Sequence, residues 1–113
     1  MEITGSMKSG RTEQGGLPVY IGSKLLDPKP SQELFNHSPD GFAWGYSGSG
    51  PAQLALAILL EVSGKKEIAL RNYQDFKSKY VSSFPSEFSI TVDEVKKWLE
   101  QKLQGGKNGT TTK

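Results

Sequence analysis

The residues whose types could bind or transform a ligand are concentrated in the stretch HSPDGFAWGYSGSG, residues 37–50. Its glycine- and serine-rich end directly precedes a long apolar run, which predicts the start of a buried helix. The first amides of a helix lack intrahelical partners, and they attract anions through their N–H groups and the helix dipole. The stretch provides seven candidate ligand-binding residues: His37, Trp44, Tyr46, Ser47, Gly48, Ser49 and Gly50.

The order of the glycines in this turn fits no nucleotide-binding motif. Gly45, Gly48 and Gly50 lack the G-x-G-x-x-G spacing, and no Gly-Lys-Ser/Thr follows them. The alternative interpretation is that the turn serves backbone geometry. Gly48 is then expected to adopt a positive φ, and Ser49 or Gly50 to cap the helix. We favour this interpretation over a specific nucleotide site.

A catalytic interpretation of the turn depends on Ser47. The residue lies in a near miss of the nucleophile elbow G-x-S-x-G, because Ser49 stands where the last glycine belongs. His37 is the single histidine, and it precedes Ser47 in the chain. The serine hydrolases that carry a nucleophile elbow place their catalytic histidine last in chain order. We interpret His37 as a turn residue whose ring donates to a nearby carbonyl, with a pH-sensitive group as the alternative. The sequence indicates no catalytic residue, cofactor or metal ligand.

Three aromatic residues in the same stretch alternate with small ones. Phe42, Trp44 and Tyr46 are separated by Ala43 and Gly45, a pattern that predicts a strand with three rings on one face. Such a face could stack bases or sugars. Because a small domain needs large side chains in its core, we expect the rings to be core residues, with Trp44 the one able to reach a pocket.

The composition restricts the class of protein. A chain of 113 residues, 23% charged and 35% hydrophobic, is typical of one soluble domain. The absence of cysteine excludes disulfides, thiolate catalysis and cysteine zinc sites. The net charge of +2 is too small to indicate a nucleic-acid-binding protein. Because no apolar N-terminal segment resembles a signal peptide, we expect a cytoplasmic protein without a membrane partner.

Both ends of the chain lack apolar periodicity. Residues 1–16 are expected to be disordered and to include an expression scar, with the natural start at Met7. Residues 104–113 are expected to form a disordered tail. Residues 17–103 then form a single domain.

Periodicity and turn residues place the elements within this domain. Two short strands around Gly22-Ser23 are expected to form a hairpin, and two prolines make residues 27–31 a loop. A nearly wholly apolar helix is expected to start at Gly50-Pro51, with Gln53, Ala57 and Glu61 forming its one polar stripe. The later elements are an amphipathic helix with the stripe Ala69, Tyr73, Phe76 and Tyr80, a short strand at residues 87–90, and a helix capped by residues 91–94 with the stripe Val95, Leu99 and Leu103. The predicted fold class is α+β, a short antiparallel sheet packed on a buried central helix with two further helices.

The segment HSPDGFAWGYSGSGPAQLALAILL, residues 37–60, resembles the HSPxGFxWGYxGSGPAQLA-type signature of an uncharacterised family of small proteins. This family, the domain of unknown function numbered 6166, occurs in bacteria, archaea, plasmids and viruses. The resemblance extends from Val19 to Trp98. It implies an acidic residue where this chain has Ala43 and a glycine where it has Ser47, and these departures argue against catalysis by Ser47. The resemblance implies an origin in a mobile element or virus and no particular reaction.

Two hypotheses of function follow. The first is a non-enzymatic binding or interaction module that acts on a protein or a nucleic acid. The second is a small-ligand or phosphate-handling protein that uses the turn before the buried helix. A convex turn at residues 45–51 would favour the first hypothesis, and a cleft there would favour the second.

Overall fold

The computed structural model describes residues 1–13 and 15–112, with side chains described through Gln104. The described residues form an α+β fold, as predicted, with a four-stranded antiparallel sheet and four α-helices. The strands are β1 (Glu2–Ser6), β2 (Val19–Ile21), β3 (Lys24–Leu25) and β4 (Glu87–Thr91). The helices are α1 (Lys29–Leu34), α2 (Ser49–Ser63), α3 (Lys66–Lys79) and α4 (Val92–Thr112), with a 3₁₀ turn at Val81–Ser83.

The sheet has the strand order β3-β2-β1-β4, so β1 lies inside it. Ile3 pairs with Ile21 on one side and with Ile90 on the other, and its side chain is fully buried. The expectation that residues 1–16 are disordered is therefore wrong for this strand. Its sequence gives a weak signal because Ile3 is its single large apolar residue, and the strand is stabilised by hydrogen-bonded neighbours on both sides.

The segment after β1 also contacts the fold. The Thr12 amide donates to the Gly16 carbonyl at 3.0 Å, and the Leu17 amide donates to the Phe42 carbonyl at 3.0 Å. Gly16 packs so closely that an added Cβ would lie 2.4 Å from the Phe42 amide nitrogen. This segment thus lies against the loop before α2.

The predicted hairpin is confirmed, with Gly22 in the left-handed conformation between β2 and β3. The predicted loop at residues 27–31 is wrong, because α1 begins there. Pro28 precedes this helix and Pro30 lies in its first turn. A proline at that place loses only an N–H group that would have no intrahelical partner.

Helix α2 is the buried central helix that the sequence predicts. All its residues from Gly50 to Leu59 are buried. The side chains of Leu56 and Leu59 have no exposed surface. The predicted polar stripe is exposed only at Glu61, since Gln53 and Ala57 are buried as well.

The two helices that flank α2 bury the predicted stripes in part. On α3 the buried residues include Ala69, Tyr73 and Phe76. On α4, Val95 and Leu99 are buried whereas Leu103 is 48% exposed. The Thr91 hydroxyl accepts a hydrogen bond from the Glu94 amide at 3.0 Å, as expected of a helix cap. The expected tail, residues 104–113, falls almost wholly outside the described side chains and stays a prediction.

None of the helices in the described part of the chain is long and apolar enough to cross a membrane.

Candidate functional site

The aromatic segment before α2 does not form the predicted strand. Phe42 and Trp44 are buried, whereas Tyr46 is 53% exposed. The reversal occurs at Gly45, whose φ of +87° interrupts the extended backbone. The three rings therefore do not share one face.

Trp44 is a core residue. Its side chain is fully buried, its indole N–H donates to the Pro85 carbonyl at 2.9 Å, and its ring packs edge-on against Phe88 at 4.8 Å between centroids. With its one donor already paired and no exposed surface, the indole cannot contact a ligand without unfolding of its surroundings. The environment of Trp44 therefore fits a core residue and not a ligand-binding ring.

The glycine-rich turn differs from the expected geometry in two respects. Gly48 is the N-cap residue of α2 and has a φ of −172°, so the predicted positive φ is wrong there and belongs to Gly45. We expected Ser49 or Gly50 to cap the helix, but the cap residue is Gly48, one position earlier. Because Gly48 has no side chain, no side-chain oxygen caps the first amides of α2.

Gly50 is required by close packing. A Cβ at this position would lie 2.7 Å from the Ala43 Cβ and 3.2 Å from the Tyr46 hydroxyl. The start of α2 thus lies directly against the loop that precedes the turn. This close approach brings backbone and hydroxyl groups from both segments to one place.

A cleft of about 530 Å³ opens beside the start of α2. We call it the α2 groove. Its lining residues come from three segments of the chain: Arg11, Gly15 and Leu17; Ser38, Asp40, Gly41, Phe42 and Ala43; and Tyr46, Ser49 and Gly50. The turn is thus one wall of a cleft rather than a convex surface.

The groove offers one cation and several hydrogen-bonding groups. Arg11 provides a guanidinium, and no salt bridge of this residue is found within the described part of the chain. Tyr46 and Ser49 provide hydroxyl groups, and the first amides of α2 lie at the same wall. Asp40 adds a carboxylate on the loop side. This set can bind an anionic group at Arg11 and accept a hydrogen bond at Asp40.

Three of the seven predicted site residues line the groove, namely Tyr46, Ser49 and Gly50. Gly48 lies under the Tyr46 ring, where an added Cβ would be 2.5 Å from Cε2. Ser47 is exposed beside the groove. Sequence reasoning missed Arg11 and Asp40. Arg11 lies in the segment that was expected to be disordered, and no local pattern shows that it folds back onto the turn.

His37 lies outside the groove and is held by contacts with the helices. Its Nε2 atom is hydrogen-bonded to the Tyr73 hydroxyl at 2.6 Å, and its ring stacks on Phe35 at 4.3 Å. Burial lowers the pKa of His37 below its ordinary value, and the nearby positive charge of Lys77 lowers it further. The ring therefore bonds to a hydroxyl rather than to the carbonyl that we expected, and the neutral form is favoured.

Gln53 is a buried polar residue that connects α1, α2 and the loop between them. Its Oε1 atom accepts hydrogen bonds from the backbone amides of His37 at 2.7 Å and Ser38 at 3.0 Å. Its Nε2 atom donates to the Ser31 hydroxyl at 2.9 Å and to the Phe35 carbonyl at 3.2 Å. The sequence indicated an exposed polar stripe at this residue. Its actual role is to fix the loop that forms one wall of the groove.

Among the residues that the structure describes, no group of three or more His, Cys, Asp or Glu residues could hold a metal ion. In the same residues, no hydrogen bond joins Ser47 to His37, and the His37 ring is instead directed to Tyr73. The described side chains therefore do not form a pair of nucleophile and base at the turn.

Comparison with known proteins gives a family but no activity. No curated protein and no solved structure matches the chain. Residues 7–101 match the family of unknown function DUF6166, a range that covers the groove, the His37 contacts and all elements except β1 and the end of α4. The chain belongs to this family of unknown function.

Proposed function

We propose that the protein binds a small ligand without transforming it, in line with the second of the two hypotheses, and that the α2 groove is its ligand site. The observation that carries this proposal is an open cleft at the start of a buried helix, lined by Arg11 and the Tyr46 hydroxyl. Ligand sites are typically concave and contain a few polar groups directed at one place. We also propose that the protein originates from a mobile element or virus. This second proposal is supported by the family resemblance and not by the groove.

The chemistry of the groove favours a small anionic ligand that carries a phosphate or carboxylate group. The Arg11 guanidinium supplies a permanent positive charge. The Ser49 hydroxyl and the first amides of α2 supply donors beside it. The Asp40 carboxylate would disfavour a ligand that is anionic over its whole surface, so a ligand with a hydroxyl or amine next to its anionic group fits best.

The arrangement supports binding rather than catalysis. A hydrolytic reaction needs a nucleophile and a base within hydrogen-bonding distance of each other. Ser47 is not part of the groove lining, and the His37 ring is bonded to Tyr73 on α3. The groups that do line the groove can hold a ligand and orient it.

Thermal melts at several phosphate concentrations test the proposal, with chloride matching the ionic strength. A ligand that binds the folded state raises the melting temperature by mass action. We expect phosphate to raise it more than chloride does, and Arg11→Gln and Ser49→Ala to reduce this rise. Arg71→Gln is the matched control, because Arg71 is an exposed arginine on α3. Ser47→Ala is a second control, because Ser47 lies in the turn but outside the groove lining.

The expected pattern is a phosphate-dependent rise in the parent chain and in both controls, and a reduced rise in the two groove variants. Backbone NMR adds a direct readout, since phosphate should shift the amide signals of Ser49 and Gly50. The absence of any phosphate-specific rise, or an equal rise in Arg11→Gln and the parent chain, would show that the groove is not an anion site.

A further inference from the structure

The two edges of the sheet differ in how they are protected. At one edge, β3 is only 2 residues long. At the other edge, β4 has 5 residues and, among the strands that the structure describes, pairs with β1 alone. A short edge strand offers little to another chain, whereas a longer one presents a row of unpaired backbone groups.

The pairing with β1 shows which backbone groups of β4 are unpaired. The Met7 amide donates to the Ser86 carbonyl at 2.9 Å, and the Val92 amide donates to the Met1 carbonyl at 2.9 Å. In an antiparallel pair, hydrogen-bonded residues alternate with residues whose backbone groups face the opposite way. Phe88 and Ile90 therefore bond to β1, whereas the backbone groups of Glu87 and Ser89 and the Thr91 amide face the outer edge of the sheet.

This edge lacks the features that usually block strand addition. Residues 87–91 contain neither lysine nor proline, and the register with β1 runs through all five positions without a bulge. Glu87 is the one charged residue of the strand, and its carboxylate lies 3.5 Å from the Lys8 ammonium group. This carboxylate is thus paired with a cation of its own copy.

We propose that the outer edge of β4 is a strand-addition site and that its occupant is β4 of a second copy of this chain. The two strands would run antiparallel about a two-fold axis at Ser89. In this register the backbone of Ser89 bonds to Ser89 of the second copy in both directions. The Thr91 amide of each copy then reaches the Glu87 carbonyl of the other.

The sequence of β4 favours a second copy over an unrelated peptide. The segment EFSIT is polar, apolar, polar, apolar, polar and is symmetric about Ser89. Two-fold pairing places Phe88 beside Ile90 on the buried face, so the apolar layer continues across the seam. On the exposed face it places Glu87 opposite Thr91, so no like charges oppose each other. The product is a continuous eight-stranded sheet, since each copy contributes the four strands described above.

Sedimentation velocity over micromolar to submillimolar concentrations tests this interface. We expect a concentration-dependent dimer. Ser89→Pro should abolish it, because proline removes the N–H group that faces the second copy but no hydrogen bond to β1. Ser89→Lys should weaken the dimer at least about tenfold, since two ammonium groups would then lie opposite each other. Ser89→Ala is the matched control that keeps the N–H group and should dimerise like the parent chain.

A cysteine at the same position gives a second readout, because the chain has no cysteine of its own. Ser89→Cys should form an intermolecular disulfide on mild oxidation, since paired residues on adjacent strands lie within disulfide range. Tyr20→Cys, on the same sheet but away from the edge, should not. A chain that stays monomeric at all concentrations overturns the proposal, as does a dimer that both Ser89→Lys and Ser89→Pro leave intact. If circular dichroism shows Ser89→Pro to be unfolded, Ser89→Lys decides.

Discussion

The neutral ring of His37 makes the stability of this protein depend on pH near neutrality. The pKa of His37 is lowered in the folded state, chiefly by burial and secondly by Lys77. In the unfolded chain the ring returns to its ordinary value of 6.5, so the unfolded state binds more protons in this range. The stabilising contribution of the neutral ring is therefore complete above that value and is lost as the pH falls through the folded-state pKa.

We predict that the free energy of unfolding falls as the pH is lowered from about 7.5 to about 5.5, the range in which histidine titrates. His37→Phe should remove this part of the pH dependence, because phenylalanine can keep the stack on Phe35 but does not titrate. Urea unfolding of both proteins at each pH measures the effect. If the free energy of unfolding fell with pH equally in the parent chain and in His37→Phe, the prediction would be wrong.

The glycines of the turn provide a second test at the level of single residues. Gly45 has a φ of +87°, and a Cβ there would lie 3.2 Å from the Phe84 carbonyl oxygen. We predict that Gly45→Ala costs about 1–2 kcal/mol, the usual penalty for an L-residue in the left-handed region. Gly48→Ala should cost less, because Gly48 is extended and its close contact is the exposed Tyr46 ring. Chemical denaturation of both variants gives the order, and a larger loss for Gly48→Ala would be inconsistent with this backbone.

The glycine turn also shows what sequence could and could not establish about single residues. The presence of a turn before the buried helix was predictable from Gly45, Gly48 and Gly50. Which of them needs a positive φ was not, because that depends on how the chain approaches Phe84 and Ala43 from elsewhere in the fold. In the same way, Gln53 carries no local signal of burial. Its environment is created by α1 and by the loop that it bonds.

At the level of elements, periodicity identified the parts that bury one face. The stripe on α3 and the alternation in β4 were visible because each repeats an apolar residue at the period of its own structure. α1 was missed because two prolines normally signal a loop, although both are acceptable at the start of a helix. β1 was missed because its position inside the sheet is determined by its neighbours rather than by its own composition.

We predict that β1 is required for folding. Ile3→Ala should cost about 2–5 kcal/mol, as expected for a fully buried isoleucine. Thr4→Ala is the control on the same strand, and because Thr4 faces the other side of the sheet it should change stability by less than about 1 kcal/mol. Removal of residues 1–6 should abolish cooperative thermal unfolding, measured by circular dichroism. A chain beginning at Met7 that unfolds cooperatively at the parent temperature would show that β1 is dispensable.

At the level of the whole molecule, the α2 groove and the β4 edge each depend on chain segments that are far apart in sequence. Arg11 reaches the groove only because residues 11–13 and 15–17 lie against the loop at residues 38–43. The β4 edge is an edge only because β1 occupies its other side. No pattern within one segment reports such arrangements, so the fold class was predictable from sequence whereas the composition of the groove was predictable only in part.

The charge distribution of the whole molecule leads to a last prediction, on nucleic-acid binding. The chain carries 14 basic and 12 acidic residues, and most lysines of α3 and α4 are exposed. Acidic residues are interspersed with these lysines. On α4, for example, Glu94 and Glu100 flank Lys96 and Lys97. Mixed charges of this kind cannot neutralise a run of phosphates, so strong binding to DNA is not expected.

Fluorescence anisotropy with labelled single- and double-stranded DNA measures this directly. We expect a dissociation constant weaker than about 1 μM at physiological salt, and any binding at low salt should weaken steeply as salt is added, because it would depend on counterion release. Reversing the charge at Lys96 and Lys97 should remove most of that residual binding. Glu100→Gln, on the same helix, should not weaken it. Submicromolar binding at physiological salt that survives the charge reversal would instead indicate a nucleic-acid surface elsewhere, and the open face of the sheet around Tyr20, which is 41% exposed, would be the first place to test by substitution.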